Sequence, residues 1–380
     1  MGALAAVPVT GVRRVAIVAA SGQELRQFCG SLLSEIVARR HRVLCIASEF
    51  SNDDVEALEE LGVEHAVFDA EPLGLKLFSD RKVIASLKSV LAAWGPHEVM
   101  GLGAKPMVYA VLAAKGAGID RIIARVDGLP EHGFGGTPAG DEMPAWRYGQ
   151  AMRAAHAAVF HNRDDVGLLR RLGLLPSALQ VTVVPGAGID MEQHEILPLP
   201  PQGQGLVFLM IARLDRRKGV IEYCEAAGKV REHAPNTRFL LAGPAGDGSL
   251  GLHPDDIAEI GPAVEYLGPA NDVRELLAQC HVFVYPSYSE GMPHHVLEAM
   301  AAARAVITTN VSGCRDTVDE RVNGCLVPAR DSEALAEAMG SFLIRPDLIP
   351  TIARASRTKA ARFCGEQMVI RPLLAVLGLD

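Results

Sequence analysis

A strand, a turn and a helix follow one another directly in the middle of the chain. Leu206-Val-Phe-Leu-Met-Ile-Ala212 is a short, wholly apolar run, which is typical of a buried strand in a parallel sheet. The polar turn Arg213-Leu-Asp-Arg-Arg-Lys-Gly219 comes next, and a helical pattern starts near Val220. Such a unit predicts βαβ construction.

The same alternation runs along the whole chain. The strands predicted in the first half are residues 12–19, 42–47, 98–102, 121–126 and 157–161. Those predicted in the second half are residues 206–212, 238–242, 264–267, 281–285, 305–308 and 325–327. Strands that alternate with helices in this way predict an α/β protein with parallel sheets, doubly wound and Rossmann-like.

The chain is long enough for two domains, because 380 residues exceed the size at which a single core stops growing. Leu197-Pro-Leu-Pro-Pro-Gln-Gly-Gln-Gly205 carries neither a helix nor a strand signal and is predicted to be a linker. We therefore expect an N-terminal domain over 1–196, a linker over 197–205 and a C-terminal domain over 206–345. Helical residues 346–380 are expected to pack back on the N-terminal domain.

Composition and charge narrow the classes of function. The 49% hydrophobic and 22% charged residues are typical of a globular protein. The net charge of −8 disfavours a nucleic-acid enzyme, because such binding depends on Lys and Arg at the phosphates. Seven cysteines without a CxxC pair indicate reduced, buried thiols and a cytoplasmic protein.

Any contact with a membrane is expected to be peripheral. No apolar run approaches the roughly 20 residues that a spanning helix needs, and the first residues lack the basic region of a signal peptide. Basic clusters occur at Arg13-Arg14, Arg39-Arg40-His41-Arg42 and Arg170-Arg171. One hypothesis is that some of them face anionic lipids on the cytoplasmic side of the inner membrane. The alternative is that they are solvated helix ends.

Two carboxylates are placed where an open α/β sheet binds ligands. Glu290 follows the predicted strand 281–285, and a helix is predicted over 293–303. The N-terminus of that helix offers backbone N–H groups to an anion. Glu298 lies about one and a half turns into the helix and can face the same crevice. Carboxylates that accept sugar hydroxyls on either side of a phosphate suit a nucleotide sugar.

Basic residues follow the predicted strand 206–212. Arg213 and Lys218 suit a diphosphate leaving group, whose developing charge needs fixed cations. Arg216 and Arg217 compete for the same role, and a solvated strand-to-helix turn is the alternative for the segment on its own. Together with Glu290 and Glu298, these cations predict a donor site in the second domain.

Several motifs of the second half resemble the retaining glycosyltransferases of family 4. They are Ser287-Tyr-Ser-Glu-Gly-Met-Pro-His-His-Val-Leu-Glu-Ala-Met300, Val306-Ile-Thr-Thr309, Gly313-Cys-Arg-Asp316 and Asn323-Gly-Cys-Leu-Val-Pro328. The resemblance implies a GT-B fold, with a cleft between two Rossmann-like domains. It also implies a nucleotide-diphosphate sugar as the donor of a hexose or N-acetylhexosamine, with a UDP-sugar favoured.

The same resemblance implies a role for each site residue. Glu290 would contact the donor sugar, Glu298 would hold the ribose, and Arg213 and Lys218 would hold the diphosphate. The backbone of Leu267 and Gly268 would cradle the base. The backbone near the sugar and the distal phosphate would be that of Gly291, Met292, Pro293 and His294. No cofactor and no metal ion is expected.

The first half resembles, more loosely, bacterial enzymes that extend polyprenyl-diphosphate-linked saccharides. The matching segments are Leu102-Gly-Ala-Lys-Pro106, Val159-Phe-His-Asn162 with Asp164-Asp165, and Val184-Pro-Gly-Ala-Gly-Ile-Asp190. This implies a lipid-linked or other saccharide as the acceptor, bound by the N-terminal domain, and a role in cell-surface polysaccharide synthesis.

The acceptor side departs from the family pattern. Many members place a His after the fifth strand of the first domain, whereas this chain has Arg125-Val-Asp127-Gly128. Asp127 or His132 is the candidate replacement. The glycine-containing loop 130–144 is expected to cover the acceptor site. Gly22 follows the first strand and either lines the cleft or forms a simple turn.

Other functions remain as alternatives. His294-His295 suggests a metal site, but no carboxylate or cysteine pattern joins the pair at ligand spacing. A sugar-nucleotide epimerase or a phosphorylase occurs on the same architecture, although the chain carries no signature for the cofactor lysine of a phosphorylase. A non-catalytic subunit that binds sugar nucleotides is the third alternative.

Overall fold

The computed structural model describes residues 11–69, 77–129, 143–201, 203, 205–270 and 272–380. The chain divides into two compact units. The first comprises the described residues up to Ala187 together with Gln367–Asp380, and the second is Gly188–Glu366. Each unit is a parallel sheet with helices on its faces, so the prediction of two doubly wound α/β domains is confirmed.

The first unit contains seven strands in the order β3-β2-β1-β4-β5-β6-β7, and every pair is parallel. The strands are β1 (Arg14–Val18), β2 (Arg42–Ala47), β3 (Glu64–Val67), β4 (Glu98–Gly101), β5 (Arg121–Val126), β6 (Ala157–Phe160) and β7 (Gln180–Val183). The helices are α1 (Gly22–Ala38), α2 (Asn52–Glu60), α3 (Leu77–Trp94), α4 (Ala104–Ala117), α5 (Ala145–Ala154), α6 (Arg163–Arg171) and, from the C-terminus, α14 (Gln367–Leu377).

The second unit contains six parallel strands in the order β10-β9-β8-β11-β12-β13. They are β8 (Val207–Ile211), β9 (Arg238–Ala242), β10 (Val264–Tyr266), β11 (Val282–Tyr285), β12 (Ala305–Thr309) and β13 (Gly324–Val327). The helices are α7 (Val220–His233), α8 (Pro254–Ile260), α9 (Val273–Ala278), α10 (His294–Ala301), α11 (Cys314–Thr317), α12 (Ser332–Ile344) and α13 (Ile349–Phe363).

Each sheet has a point at which its strand order reverses. In the first sheet it lies between β1 and β4, and in the second between β8 and β11. Loops that leave two strands at such a point diverge to opposite faces of the sheet and open a crevice at the carboxyl ends, where ligands bind. In the second unit, a ligand is therefore expected beside the loops that follow β8 and β11.

The segment predicted as a linker, 197–205, is instead part of the second unit. The buried Arg304 guanidinium donates hydrogen bonds to the carbonyls of Leu197 (2.9 Å) and Pro198 (2.9 Å). His281 Nε2 lies 3.1 Å from the carbonyl of Pro200. Side chains from the body of the unit thus hold residues 197–200, which lie outside helices and strands, and the chain passes between the units at residues 187–188.

The C-terminal helices divide between the units, which corrects the expectation for 346–380. Helix α13 packs on α10 and β12, within the second unit. On α13, Arg357 donates to the carbonyls of Met191 (2.9 Å) and Ala301 (2.6 Å). Only α14 belongs to the first unit, where it packs on α1 and β5 and buries Val369 and Leu373.

All seven cysteines carry free thiols, and six of them are buried. Across the described parts of the chain, no helix combines the length and the apolar character needed to cross a membrane.

Three imidazoles at the amino ends of the sheets make the fold sensitive to acid. Each accepts a backbone N–H through Nδ1: Arg13 N to His41 (3.1 Å), Arg14 N to His97 (3.0 Å) and Val207 N to His281 (3.1 Å). Burial lowers the pKa of each imidazole below its ordinary value, and nearby arginines lower it further. An imidazole that accepts through Nδ1 is neutral, with its single proton on Nε2, so a second proton at Nδ1 would break the bond.

We expect the urea midpoint of unfolding to fall as the pH drops below about 6.5, the ordinary pKa of His. Above that pH these imidazoles are neutral in both states. Below it the unfolded chain takes up protons that the folded chain does not, so the free energy of unfolding decreases. Urea titrations at neutral and mildly acidic pH measure the effect. His281→Asn should lose less stability over this range than the wild type, and an equal loss would remove His281 from the explanation.

Candidate functional site

The turn after β8 carries three consecutive cations, and one of them, Arg217, is bound within the turn. Residues Arg216–Lys218 form a single 3-10 turn, and the Asp215 carboxylate accepts from Arg217 through N (2.8 Å), Nε (3.1 Å) and NH2 (2.7 Å). Burial would raise the pKa of Asp215, but its bonds with Arg217 outweigh burial and lower it. Of the competing cations, Arg217 therefore serves the turn itself. The side chain of Arg216 is exposed.

Lys218 and Glu290 meet although they are 72 residues apart. Lys218 Nζ lies 2.5 Å from Glu290 Oε1, and the same oxygen accepts from Ser287 Oγ (2.7 Å) and the Tyr285 hydroxyl (3.0 Å). Lys218 Nζ also lies 6.0 Å from the centre of the Tyr285 ring. A cation and a carboxylate are thus fixed beside each other at the reversal point between β8 and β11.

Two glycines allow the loops to approach so closely. Gly219, which ends the 3-10 turn with φ 76°, has no room for a Cβ, because that atom would lie 2.1 Å from the carbonyl oxygen of Pro286. A Cβ on Gly313 (φ 76°) would lie 2.4 Å from the carbonyl oxygens of Glu290 and Gly291. Both positions combine a left-handed backbone with backbone contact, so only glycine fits. The loop that carries Glu290 is held between them.

Arg213 lies at the same edge of the sheet. It follows β8 by two residues, and its side chain is exposed. Burial and the Glu290 charge raise the pKa of the Tyr285 hydroxyl well above its ordinary value, whereas the Arg213 charge opposes that rise. Arg213 also helps to lower the pKa of Asp215. The positive charge of Arg213 therefore acts on Tyr285 and Asp215, which lie beside the Lys218–Glu290 pair.

Helix α10 is shorter than the predicted 293–303. It begins at His294, with Pro293 as its N-cap, and its last helical residue is Ala301. It ends in a Schellman motif, in which Ala303 N donates to Met300 O and Arg304 N to Ala299 O, with Ala303 at φ 57°. At its other end, the backbone of Gly291–His294 lies beside the Glu290 loop. The side chain of Met292 packs against the core, as does the buried Met300.

Glu298 is surrounded by imidazoles. His295 Nδ1 lies 2.7 Å from Oε2, while His294 Nε2 and His194 Nε2 lie 3.7 and 3.9 Å from Oε1. Burial would raise the pKa of Glu298, but the imidazoles of His194 and His295, with His294, outweigh it and hold that pKa well below its ordinary value. Glu298 in turn raises the pKa of His194. Glu298 is therefore a carboxylate that stays charged, on the first turns of the helix.

Leu267 and Gly268 follow β10, at the same edge of the second sheet. Gly268 has φ 81°, and its carbonyl accepts the N–H of Gly243 (2.8 Å). The side chain of Leu267 is 37% exposed, so it presents an apolar surface at the end of the strand.

Asp127 stands at the carboxyl edge of the first sheet, in a network of three neighbouring strand ends. Its Oδ1 accepts from Arg125 Nε (2.8 Å) and lies 3.1 Å from His161 Nε2, and its Oδ2 accepts from Gly103 N (2.8 Å). Arg125 is 1% exposed, whereas the side chain of Asp127 is 26% exposed. Burial lowers the pKa of His161 to about 4, with Asp127 opposing the shift and Arg125 adding to it.

Gly22 begins α1 after the N-cap Ser21. A Cβ at Gly22 would lie 2.4 Å from the Phe50 ring and 2.9 Å from Asp54 Cβ. This packing is a sufficient reason for glycine at the position. His132 and residues 130–142 of the predicted covering loop lie outside the described residues.

Among the described residues, no group of three or more His, Cys, Asp or Glu side chains is arranged to hold a metal ion. The neighbours His294 and His295 instead lie 3.7 and 2.7 Å from a single carboxylate, that of Glu298.

Four polar residues of these networks were not singled out from the sequence: Tyr285, Ser287, His161 and His194. Tyr285 and Ser287 lie at the end of a predicted strand, which was the available signal. His161 is the last residue of the predicted strand 157–161, which gives it no role of its own. His194 precedes the predicted linker, and no pattern points to it.

Comparisons with known proteins bear on the same regions. Residues 205–344 match the model of the glycosyl transferases group 1. The N,N'-diacetylbacillosaminyl-diphospho-undecaprenol alpha-1,3-N-acetylgalactosaminyltransferase of Campylobacter jejuni is 25% identical over 365 residues, covering 92% of this chain and 94% of its own. The UDP-Gal:alpha-D-GlcNAc-diphosphoundecaprenol alpha-1,3-galactosyltransferase of Escherichia coli is 25% identical over 285 residues, covering 70% and 71%.

Solved structures share the fold. An Anabaena protein in complex with UDP and glucose has a TM-score of 0.75 at 17% identity, covering 97% of this chain and 99% of that one. The two Rossmann-like units match those of GT-B glycosyltransferase structures, which confirms the predicted fold class.

Proposed function

We propose that this chain, a glycosyltransferase whose residues 205–344 belong to the glycosyl transferases group 1, transfers a hexose or an N-acetylhexosamine from a UDP-sugar to a polyprenyl-diphosphate-linked saccharide. The transfer retains the configuration of the anomeric carbon. The observation that carries the proposal is the Lys218–Glu290 pair at the reversal point between β8 and β11. It sets a cation for a diphosphate beside an acceptor for sugar hydroxyls, where parallel sheets bind ligands.

In this reaction the bond between the anomeric carbon and the diphosphate breaks, and a bond to the acceptor hydroxyl forms on the same face. The proton of that hydroxyl passes to the departing diphosphate. Lys218 and Arg213 stabilise the charge that develops on the diphosphate. Glu290 accepts hydrogen bonds from the donor sugar and fixes its orientation.

The remaining donor contacts follow from position. Glu298 accepts from the ribose hydroxyls, and the backbone of Gly291–His294, at the N-terminus of α10, faces the distal phosphate and the sugar. Leu267 and Gly268 provide the surface for the base. On the acceptor side, Asp127 binds a hydroxyl of the saccharide.

The substrates are supported by the relatives. Both named relatives act, by their names, on undecaprenyl-diphosphate-linked sugars, and one uses UDP-Gal. Both names specify alpha-1,3 linkages. Because UDP-galactose is an α-glycoside, an α product corresponds to retention. A saccharide carried on such a lipid belongs to the assembly of cell-surface polysaccharide.

We also propose a peripheral contact with the cytoplasmic face of the inner membrane, where a polyprenyl-linked acceptor resides. Of the basic clusters, Arg39 pairs with Glu35 (3.0 Å) and Arg42 with Glu64 (2.7 Å). Arg170 and Arg171 are exposed at the end of α6, beside the exposed Leu172. This group, basic and apolar together, suits an anionic lipid surface.

The variant Arg170→Glu/Arg171→Glu should bind phosphatidylglycerol-containing vesicles at least roughly thirtyfold more weakly, since each basic residue removed contributes about 1 kcal/mol near an anionic surface and the new carboxylates are repelled by it. Cosedimentation with vesicles measures the binding. Arg274→Glu/Arg321→Glu makes the same change of charge on the second unit and serves as the control. Equal binding by both variants and the wild type would exclude this contact.

We expect transfer without a bound metal ion, because Arg213 and Lys218 supply the cations that a metal would otherwise provide. UDP release should be the same with EDTA as with Mg²⁺. Activity that EDTA abolishes and Mg²⁺ restores would contradict the proposed mechanism.

The decisive experiment is a panel of UDP-glucose, UDP-galactose, UDP-N-acetylglucosamine and UDP-N-acetylgalactosamine, each with and without undecaprenyl-diphosphate-linked N-acetylglucosamine. We expect UDP release that requires the acceptor, and an α linkage in the product by NMR. A β linkage would exclude retention. Conversion of a UDP-sugar alone would indicate an epimerase, and binding without acceptor-dependent release would indicate a non-catalytic subunit.

A further inference from the structure

We propose that His161 is a positioning residue of the acceptor site, which fixes the carboxylate of Asp127 in the orientation that receives a hydroxyl of the acceptor saccharide. The inference rests on the proposed function, because it concerns the part of the site that meets the acceptor. His161 lies within the segment Val159-Phe-His-Asn162, and the sequence alone assigns it no role.

The sheet register brings the two residues together. In the parallel pair β5–β6, Val126 lies opposite Phe160. Asp127 and His161 are the next residues on the two strands, so they leave the sheet side by side. His161 Nε2 consequently lies 3.1 Å from Asp127 Oδ1. The contact is a product of the topology and joins two adjacent loops at the carboxyl edge.

Asp127 is restrained from three directions. Arg125, on the same strand, donates to Oδ1 from within the core, where its guanidinium also donates to the carbonyl of Phe28 (3.3 Å). From the third strand end, β4, the N–H of Gly103 donates to Oδ2 (2.8 Å). His161 completes the set. Each carboxylate oxygen therefore has a protein partner, and the exposed part of the group is turned toward solvent in a fixed direction.

The charges explain why His161 has to be neutral. Burial lowers the pKa of His161 to about 4, and the nearby Arg125 charge adds to the shift, so the imidazole carries one proton at neutral pH. The neutral imidazole places Nε2 in contact with Asp127 Oδ1, at 3.1 Å but without a hydrogen bond, and adds no second positive charge beside Arg125. The Asp127–Arg125 pair then keeps its balance of charge, and the carboxylate remains able to accept from a sugar hydroxyl.

This arrangement assigns different tasks to the residues. Asp127, which is partly exposed, contacts the acceptor, and the buried His161 acts through Asp127. Asp127 orients a hydroxyl by accepting its hydrogen bond, while the proton leaves with the diphosphate as described above.

The test compares His161→Leu, His161→Gln and Asp127→Asn, with undecaprenyl-diphosphate-linked N-acetylglucosamine as the acceptor and the UDP-sugar that the panel selects as the donor. Leu removes the polar group, whereas Gln can place an N–H near the position of Nε2. We expect His161→Leu to lower kcat/KM for the acceptor roughly tenfold, because the Asp127 carboxylate loses the polar neighbour that restrains its orientation, and a polar partner of a charged group contributes at least about 1.4 kcal/mol. UDP affinity should be unchanged, and His161→Gln should recover most of the loss.

His156→Gln is the matched control. His156 lies at the opposite, amino end of β6, where its Nδ1 accepts the N–H of Ile122 (3.1 Å). A change there affects the strand but not the acceptor edge, so thermal stability moves while kcat/KM for the acceptor does not. In an Asp127→Asn background, His161→Leu should have little further effect, because the two residues act as one unit.

The outcomes separate this inference from the proposed function. If Asp127→Asn lowers kcat/KM for the acceptor and His161→Leu does not, the role of His161 is overturned and the proposed function stands. If His161→Gln folds but recovers nothing, or if the two losses are simply additive, the positioning role is likewise overturned. If no acceptor in the panel releases UDP, the proposed function itself fails.

Discussion

Replacing Lys218 with alanine is expected to lower kcat by a factor of roughly 100 to 1000, the usual effect of removing one preorganised charge from a developing anion. The physical reason is the position of Nζ, which is fixed 2.5 Å from Glu290 at the reversal point of the sheet. Because the cation is already oriented, no reorganisation is required when the diphosphate departs. UDP release under saturating donor and acceptor measures the change.

The contact with Glu290 raises a second reading, in which Lys218 serves only to neutralise the carboxylate. The double variant Lys218→Ala/Glu290→Gln separates the two. If Lys218 acts on the diphosphate, removing the Glu290 charge does not restore the rate. Recovery in the double variant would reduce Lys218 to a counterion of Glu290 and would contradict the proposed role.

A matched control for Lys218 lies on α7. Lys229 Nζ pairs with Glu333 at the same distance of 2.5 Å, but on an exposed surface. Exposed pairs of this kind contribute little, so Lys229→Ala should leave kcat unchanged. A loss similar to that of Lys218→Ala would point to a general effect of removing a lysine.

The fold was predictable because buried parallel strands are continuous apolar runs. The strands missed from the sequence, β3 and β7, lie at the edges of the first sheet, and their sequences, EHAV and QVTV, mix polar with apolar residues and form no continuous apolar run. The misplaced boundary has another cause. The carbonyls of Met191, Leu197 and Pro198 accept hydrogen bonds from Arg357 and Arg304, and such bonds leave no periodic signal in the sequence.

The position of each candidate site residue at a strand end could be predicted from the sequence, but the contacts between these residues could not. That Lys218 and Glu290 follow strands is visible in the sequence, whereas their contact depends on β8 and β11 being neighbours, which follows from the strand order. The same limit applies to Asp127 and His161, which are 34 residues apart and meet because of the register of β5 and β6. Chemistry at strand ends is readable from sequence, and adjacency between those ends is not.

Replacing Glu298 with alanine should weaken UDP binding by roughly 10- to 100-fold. The reason is that each hydrogen bond to a charged group contributes about 1.5 to 3 kcal/mol. If Glu298 accepts from the ribose, the wild type should also bind 2′,3′-dideoxy-UDP more weakly than UDP, and Glu298→Ala should not distinguish the two ligands. Calorimetric titration measures both affinities. Discrimination that persists in the variant would assign ribose recognition to another group.

The imidazoles around Glu298 provide an internal check on this variant. In Glu298→Gln the pKa of His194 should fall, because the carboxylate is what raises it in the wild type, and NMR titration of His194 measures that change. Glu337→Gln removes an exposed carboxylate from α12 and should alter neither the His194 pKa nor the affinity for UDP. If Glu298→Gln lowers the pKa of His194 yet binds UDP like the wild type, the carboxylate is a partner of the imidazoles alone and not a ligand of the ribose.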